Sequence, residues 1–282
     1  MGKALIFEGI TISNPLEVVT FSDGLSAPVR NYLGQLSSSV SDAKKQAFQS
    51  FYEALVEAGI WDKITLLYPM YGNAQDCAYG LKGDNLTIPT GATYSNGIDL
   101  TNASGGYGNA GKGIKLIDTF PTTSTTNYSM FVGYPQGWTT AQRGYALVYA
   151  SDSTRQSGSS AGRYMGCHYA DSSWRNFHAT LAEMHVAIAD GQKGFFGETH
   201  DMANQSHAIY INGTAATTQS GYSSTNERGG LGINASAQSG QTNHLLNVPI
   251  NMVVVCNGAC LSSTEVAALS DAVSILSNVI FS

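Results

Sequence analysis

Ionised side chains are scarce in this sequence: Asp, Glu, Lys and Arg make up 12% of its 282 residues, about half the usual quarter. Long solvated helices therefore cannot be the dominant element. Cysteine is almost as rare. Cys77, Cys167, Cys256 and Cys260 are too few and too scattered for a disulfide framework, and are expected as free, buried thiols. The 14 basic residues form no run and are outnumbered by 20 acidic ones, for a net charge of −6. That balance argues against nucleic acid or an anionic membrane as partner. No apolar stretch approaches the roughly 18 residues of a membrane-spanning helix. The opening run Ala4, Leu5, Ile6, Phe7 ends at Glu8, too soon for a signal-peptide core. The expectation is a chain made in a cytosol that leaves it only if carried. No internal repeat is present, which argues against a long fibrous shaft.

Glycine, hydroxyl and amide side chains take the place of charge. With 31 Gly and 15 Tyr, the mixture suits strands and tight turns. Short runs of β-formers at residues 113–120, 128–134, 144–150, 162–169, 185–189, 206–211, 230–234 and 248–256 predict an antiparallel two-sheet sandwich of jelly-roll type. The sharpest local signal is Asn212-Gly213 after Ile209-Tyr210-Ile211, because Asn-Gly supplies the positive φ that a two-residue hairpin turn needs.

Two segments carry a helical period instead. Val40, Ala43, Ala47, Phe48, Phe51, Leu55 and Val56 recur at three and four, with Ser39 and Asp42 as a capping-box start and Gly59-Ile60 as a left-handed C-terminal cap. Residues 61–69 continue as a buried turn or short second helix, with Trp61 in the core. Near the end, Ser262 and Glu265 form a capping box, and Leu261 and Val266 a hydrophobic staple. Val266, Leu269, Val273, Leu276 and Ile280 then mark a buried stripe. Periodicity does not decide whether that helix lies on the sandwich or against the first helix. Residues 4–21 read as a strand-like arm.

The segment Leu55-Val56-Glu57-Ala58-Gly59-Ile60-Trp61-Asp62-Lys63-Ile64, followed by Tyr68-Pro69-Met70-Tyr71-Gly72, resembles a module of structural proteins of tailed bacteriophages, particularly those of gut Bacteroidetes. In that family it precedes a concanavalin A-like (laminin-G-like) jelly roll. The hairpin at 209–213 and the helix opening at 261–269 are similar to elements of the same domains. The strand-like arm, within an anchoring segment at 1–30, reads as a strand added to a partner's sheet edge or as an edge strand of its own domain. The resemblance spans residues 31–282 and implies a helical neck at 31–72 and a sandwich with its closing helix at 73–282. It implies a non-enzymatic virion protein, a head fibre or capsid decoration, made in the host cytoplasm and oligomeric, as in a trimer. Its partners would be capsid or tail proteins, held through Leu5, Ile6, Phe7, Leu16, Val18 and Phe21, with no cofactor. The alternative it carries is a lectin-like tail-fibre protein contacting cell-surface glycan.

Glycan contact needs an aromatic face with amides and hydroxyls around it. Trp138 and Trp174, in turn-rich surroundings expected as loops, are the candidates. A sandwich glycosidase is the third reading, and it needs paired acids on one groove face. Glu183, Glu198 and Asp201 do not supply them, since Glu198 and Asp201 are three apart and fall on opposite faces of a strand. Gly106 to Gly111 mimics a dinucleotide fingerprint, and Gly158 to Gly162 a nucleophile elbow. Neither has the strand-to-helix context that its chemistry requires. The six histidines show no zinc spacing, and Asp99, Asn102 and Asp118 are only a sparse oxygen set for calcium.

Overall fold

The computed structural model describes residues 23–107, 111–122, 126–135, 144–150, 164–168, 173–177, 184–189, 192–221, 227–233 and 248–281. The chain opens with α1 (Ala27–Leu33), α2 (Asp42–Glu57), a 3-10 turn at Trp61–Lys63, β1 (Leu66–Tyr68) and a second 3-10 turn at Asp76–Ala78. A small hairpin, β2 (Thr93–Tyr94) and β3 (Ile98–Asp99), precedes β4 (Ile114–Thr122), β5 (Tyr128–Tyr134), β6 (Gly144–Ala150), β7 (Tyr164–His168), β8 (Ser173–Phe177) and β9 (Met184–Ala187). Then come β10 (Gly194–Asp201), β11 (Ser206–Ile211), β12 (Thr214–Ser220), β13 (Glu227–Ile233), β14 (Met252–Asn257) and α3 (Ser263–Ile280). One six-stranded sheet runs β1-β14-β5-β10-β11-β12 and the other β4-β13-β6-β7-β8-β9. Their strand pairs are antiparallel, which is the expected sandwich.

The inner strands of the first sheet, β14, β5, β10 and β11, are buried on both faces, while its edge strand β12 is largely exposed. Along β14, Val253 and Val255 point into the core between the sheets, while Met252, Val254 and Cys256 point into a second core under the helices. On β5, Met130 and Val132 enter the first core and Phe131 the second. Phe131 stacks on Phe195 with ring centroids 5.3 Å apart. A strand wetted on neither face loses the alternating polar residues by which strands are recognised. For that reason β10, with apolar residues and Gly197-Glu198 buried together, escapes a sequence reading, and β1 reads as a turn.

The two periodic segments fold as helices and pack on each other as well as on the first sheet, so α3 meets both of its possible neighbours. Its capping box forms as expected. Glu265 N–H donates to Ser262 Oγ at 3.3 Å, and Ser262 N–H donates to Glu265 Oε2 at 2.9 Å. Lys63 also pairs with Glu265, tying the 3-10 turn to the helix start. At the end of α2, Ile60 N–H reaches Leu55 O and Gly59 N–H reaches Val56 O, the double bond of a left-handed cap. The Asn212-Gly213 hairpin likewise has its two positive φ angles and a two-residue loop between Ile211 and Thr214.

Several expectations need correction. The N-cap of α2 is Ser41, without a side-chain cap bond, rather than Ser39. Val56 is 47% exposed and lies off the stripe. Ala47, Phe48, Phe51 and Leu55 are buried within the chain itself, so this face is not available to a partner. Residues 31–72 do not stand apart as a neck. Their β1 is the edge strand of the first sheet, paired to β14, and a boundary at residue 72 would cut one packing unit. Residues 1–22, with the anchoring set Leu5, Ile6, Phe7, Leu16, Val18 and Phe21, lie outside the described residues.

The helical layer is latched to the sandwich by one carboxylate. Asp76, 1% exposed, accepts from Ser37 N–H and Ser37 Oγ, both at 2.8 Å, from Ser38 N–H at 3.1 Å and from Asn73 Nδ2 at 3.0 Å. These bonds fix the link between α1 and α2, and with residues 37 and 38 so held the second helix begins later. Burial pushes the Asp76 acid up, but the Ser37 and Ser38 donors outweigh it and hold it below the ordinary carboxylate value. Bonds to an ionised acceptor are worth about 1.5–3 kcal/mol each, and an amide would set donor against donor. Asp76→Asn should therefore destabilise the protein by about 2 kcal/mol or more in urea unfolding near neutral pH. The depressed group stabilises the fold above its unfolded value of 3.8 and ceases to do so as pH falls through its folded value. The gap between variant and parent should accordingly close in acid.

Candidate functional site

The helices cover one face of the first sheet, and on the second sheet described residues reach solvent on its edge strands β4 and β9. Leu231 and Ile233 point into the inter-sheet core, so Gly232 between them faces outward. Gly106 and Tyr107 are bonded back onto the residues just before β4. Gly106 N–H donates to Gly111 O at 2.7 Å, and Tyr107 and Gly113 exchange bonds of 2.8 and 2.9 Å. The half-buried Tyr107 ring lies on the backbone of Gly232, where a Cβ would stand 2.6 Å from a ring carbon. Lys115, exposed and opposite Gly232 in the register, holds its Nζ 5.7 Å from the ring centroid. His185 and Ala187 are also exposed on this sheet. An aromatic ring beside a cationic donor can take the apolar face of a sugar while bonding its hydroxyls.

The sequence did not single out Tyr107. Gly106 to Gly111 mimics a nucleotide loop in sequence, and nothing in that pattern points to the aromatic among the glycines. Trp138 lies outside the described residues, as do Glu183 and residues 158–162. Trp174 is in β8 rather than a loop, its backbone opposite Cys167 and Val186. The two tryptophans are not brought together by any described contact. Trp61 is half-buried, against Tyr52 at 4.8 Å and with Lys82 Nζ 4.9 Å from its ring. Asp99 accepts from Thr101 N–H at 2.8 Å and Asn102 is exposed. Among the described residues no group of three His, Cys, Asp or Glu is placed to hold a metal. Cys77 and Cys256 are buried free thiols, and burial pushes Cys256 up to about 12.

The acid candidates do not meet in a cleft. Glu198 is buried in the sandwich, its Oε1 3.2 Å from His200 Nε2, while Asp201 accepts from Asn204 Nδ2 at 2.7 Å at the strand end. Across the sheet the register aligns Tyr128, His200, His207 and Gln219. Tyr128 stacks on His200 with centroids 4.1 Å apart, and His200 meets His207 edge to face at 5.1 Å. Burial, with His200 adding to it and Glu198 opposing, lowers His207 from 6.5 to about 4. The folded histidine thus stays neutral where the unfolded one is protonated. Its contribution to stability is whole above pH 6.5 and lost as pH falls from 6.5 through 4. At about 1.4 kcal/mol per unit, the loss is about 3 kcal/mol. Urea unfolding between about pH 7.5 and pH 4 should therefore fall more steeply for the natural protein than for His207→Gln, by about that amount.

No protein-family model and no curated protein matches the chain. Solved structures do share its fold. Domain 4 of AbnA, a GH43 extracellular arabinanase from Geobacillus stearothermophilus, in complex with arabinotriose, superposes with TM-score 0.50 at 14% identity, covering 74% of this chain and 98% of that domain. The binding domain of Paraclostridial Mosquitocidal Protein 1 gives TM-score 0.54 at 14% identity, over 75% of this chain and 52% of that one. Trypanosoma rangeli sialidase gives 0.51 at 12% identity, over 84% and 39%. At such identities the likeness is one of fold, and the chain is an antiparallel β-sandwich of the kind found in these proteins.

Proposed function

We propose that this chain is a non-catalytic, lectin-like module that contacts carbohydrate through the open face of its second sheet. The Tyr107 ring held on Gly232 beside Lys115 is the observation that carries this reading. It has the composition of a sugar platform, and the surrounding surface has few ionised groups that contact would have to desolvate. The arabinanase domain supports it, since that protein was captured with arabinotriose and this chain spans 98% of its length. The absence of turnover rests on the separation of Glu198 and Asp201, one inside the sandwich and the other bonded to Asn204.

The setting we propose is a virion surface, as a head fibre, capsid decoration or tail-fibre component, following the phage-protein resemblance of residues 55–72. Mass spectrometry of purified particles should find the chain at fixed copy number, and its absence there would end the virion reading while leaving the sugar reading intact.

On a glycan array the protein should bind a restricted set of glycans. Tyr107→Ala should weaken that binding about tenfold, as expected for loss of an aromatic contact of about 1–1.5 kcal/mol. Release of reducing sugar that disappears in Glu198→Gln would overturn the non-catalytic reading.

A further inference from the structure

A second place on the molecule is built for a polar ligand. Between α3 and the ends of β5 and β10 lies an open cleft of about 540 Å³. Its inner wall carries Asn251, just before β14, and Ser270 of α3, which are 5% and 7% exposed. Both side chains line the cleft, and among the described residues neither has a hydrogen-bond partner. Neither is among the buried side-chain atoms sealed from solvent without a partner, so the small exposed part of each residue leaves its amide or hydroxyl open to the cleft, where water or a ligand can bond to it.

The surrounding residues point to the ligand's character. Gly133 and Gly194 form the floor. A Cβ at either would strike Asn251 Oδ1 or Asn212 Oδ1, so the absence of side chains there lets both amides lie against strand backbone. Asn212 Oδ1 accepts from Phe195 N–H at 2.8 Å, which fixes that amide against Gly194 at the hairpin tip. Phe281 stands at the far end as a half-buried aromatic wall. The charged lining residues are exposed Lys193 and Asp271, of opposite sign, so the cleft carries no net charge. Buried amide and hydroxyl groups, a glycine floor and an aromatic wall without net charge match a neutral, hydroxyl-rich molecule.

We infer that this cleft is a saccharide subsite for a neutral sugar, whose hydroxyls bond to Asn251, Ser270 and Asn212 and whose apolar ring face meets Phe281. This rests on the carbohydrate-binding reading and adds a contact separate from the Tyr107 face. The ring hydroxyls take over the bonds that water makes in the free protein, and the Asn212 amide is already held by Phe195 N–H, so that group needs little ordering on binding.

The test uses the isotopically labelled full chain titrated with neutral trisaccharides of arabinose, glucose, galactose and mannose, followed by nuclear magnetic resonance and calorimetry. At least one should shift the side-chain amide signal of Asn251 and the ring signals of Phe281. The double variant Asn251→Ala with Ser270→Ala should weaken its binding about tenfold or more. Asn278→Trp, on the exposed rim of α3 and away from both cores, should block the cleft while the fold is kept, and it decides the matter if the double variant does not fold. If a sugar binds with shifts at Tyr107 and Lys115 only, and Asn278→Trp leaves its affinity unchanged, the cleft inference is wrong and the carbohydrate reading survives. If none of the trisaccharides shifts any signal and no glycan binds on the array, both fall.

Discussion

The central constraint on this protein is that one sheet has to serve two cores. Residues on β14, β5, β10 and β11 alternate between a layer of apolar side chains facing the second sheet and another facing the helices. Each fully buried Val, Leu, Ile, Phe or Met contributes about 1.5–3 kcal/mol of transfer free energy, and burial on both faces doubles the number of side chains that each strand can commit. The helices follow as a consequence. A sheet that is apolar on both sides must be covered on both, and α2 and α3 do so with stripes that would otherwise face water.

That arrangement also settles where chemistry can occur. Glu198, His200 and His207 on the inner face of the first sheet are enclosed, and Tyr128, His200 and His207 form a packed row of rings across it. Tyr107 lies on the second sheet, and on the helical side a cleft opens where α3 leaves the ends of β5 and β10 uncovered. Both candidate contacts are therefore by-products of the layering. The same segment that carries the phage-protein resemblance has a mechanical part in it. Gly59 to Lys63 turns α2 into the edge strand, and the stretch after Tyr71 brings Asn73 and Asp76 to the loop between the first two helices.

Local chemistry was legible wherever a feature is complete within a few residues. The capping box of Ser262 and Glu265, the left-handed cap at Gly59 and the turn at Asn212-Gly213 each close their own hydrogen bonds or dihedrals without help from afar. Strands wetted on one face, or bounded by strong turn residues, were found on the same grounds. What failed needed distant partners. The start of α2 depends on a carboxylate some forty residues on, the strand character of Leu66–Tyr68 depends on pairing with β14, and β10 shows no alternation because neither of its faces is wet. Trp174 was assigned to a loop on turn-forming neighbours that its cross-strand pairs override.

The sequence by itself determined the class of fold, two amphipathic helices, the end of the first and the start of the second, and the hairpin, because these follow from periodicity and short-range bonding. Tertiary structure alone decided which surfaces remain open. The half-buried Tyr107 ring is laid on the second sheet by a glycine more than a hundred residues away, and Asn251 and Ser270 share a cleft because α3 passes the ends of β5 and β10. Exposure is a property of what packs on a residue, and no local pattern in the chain encodes that.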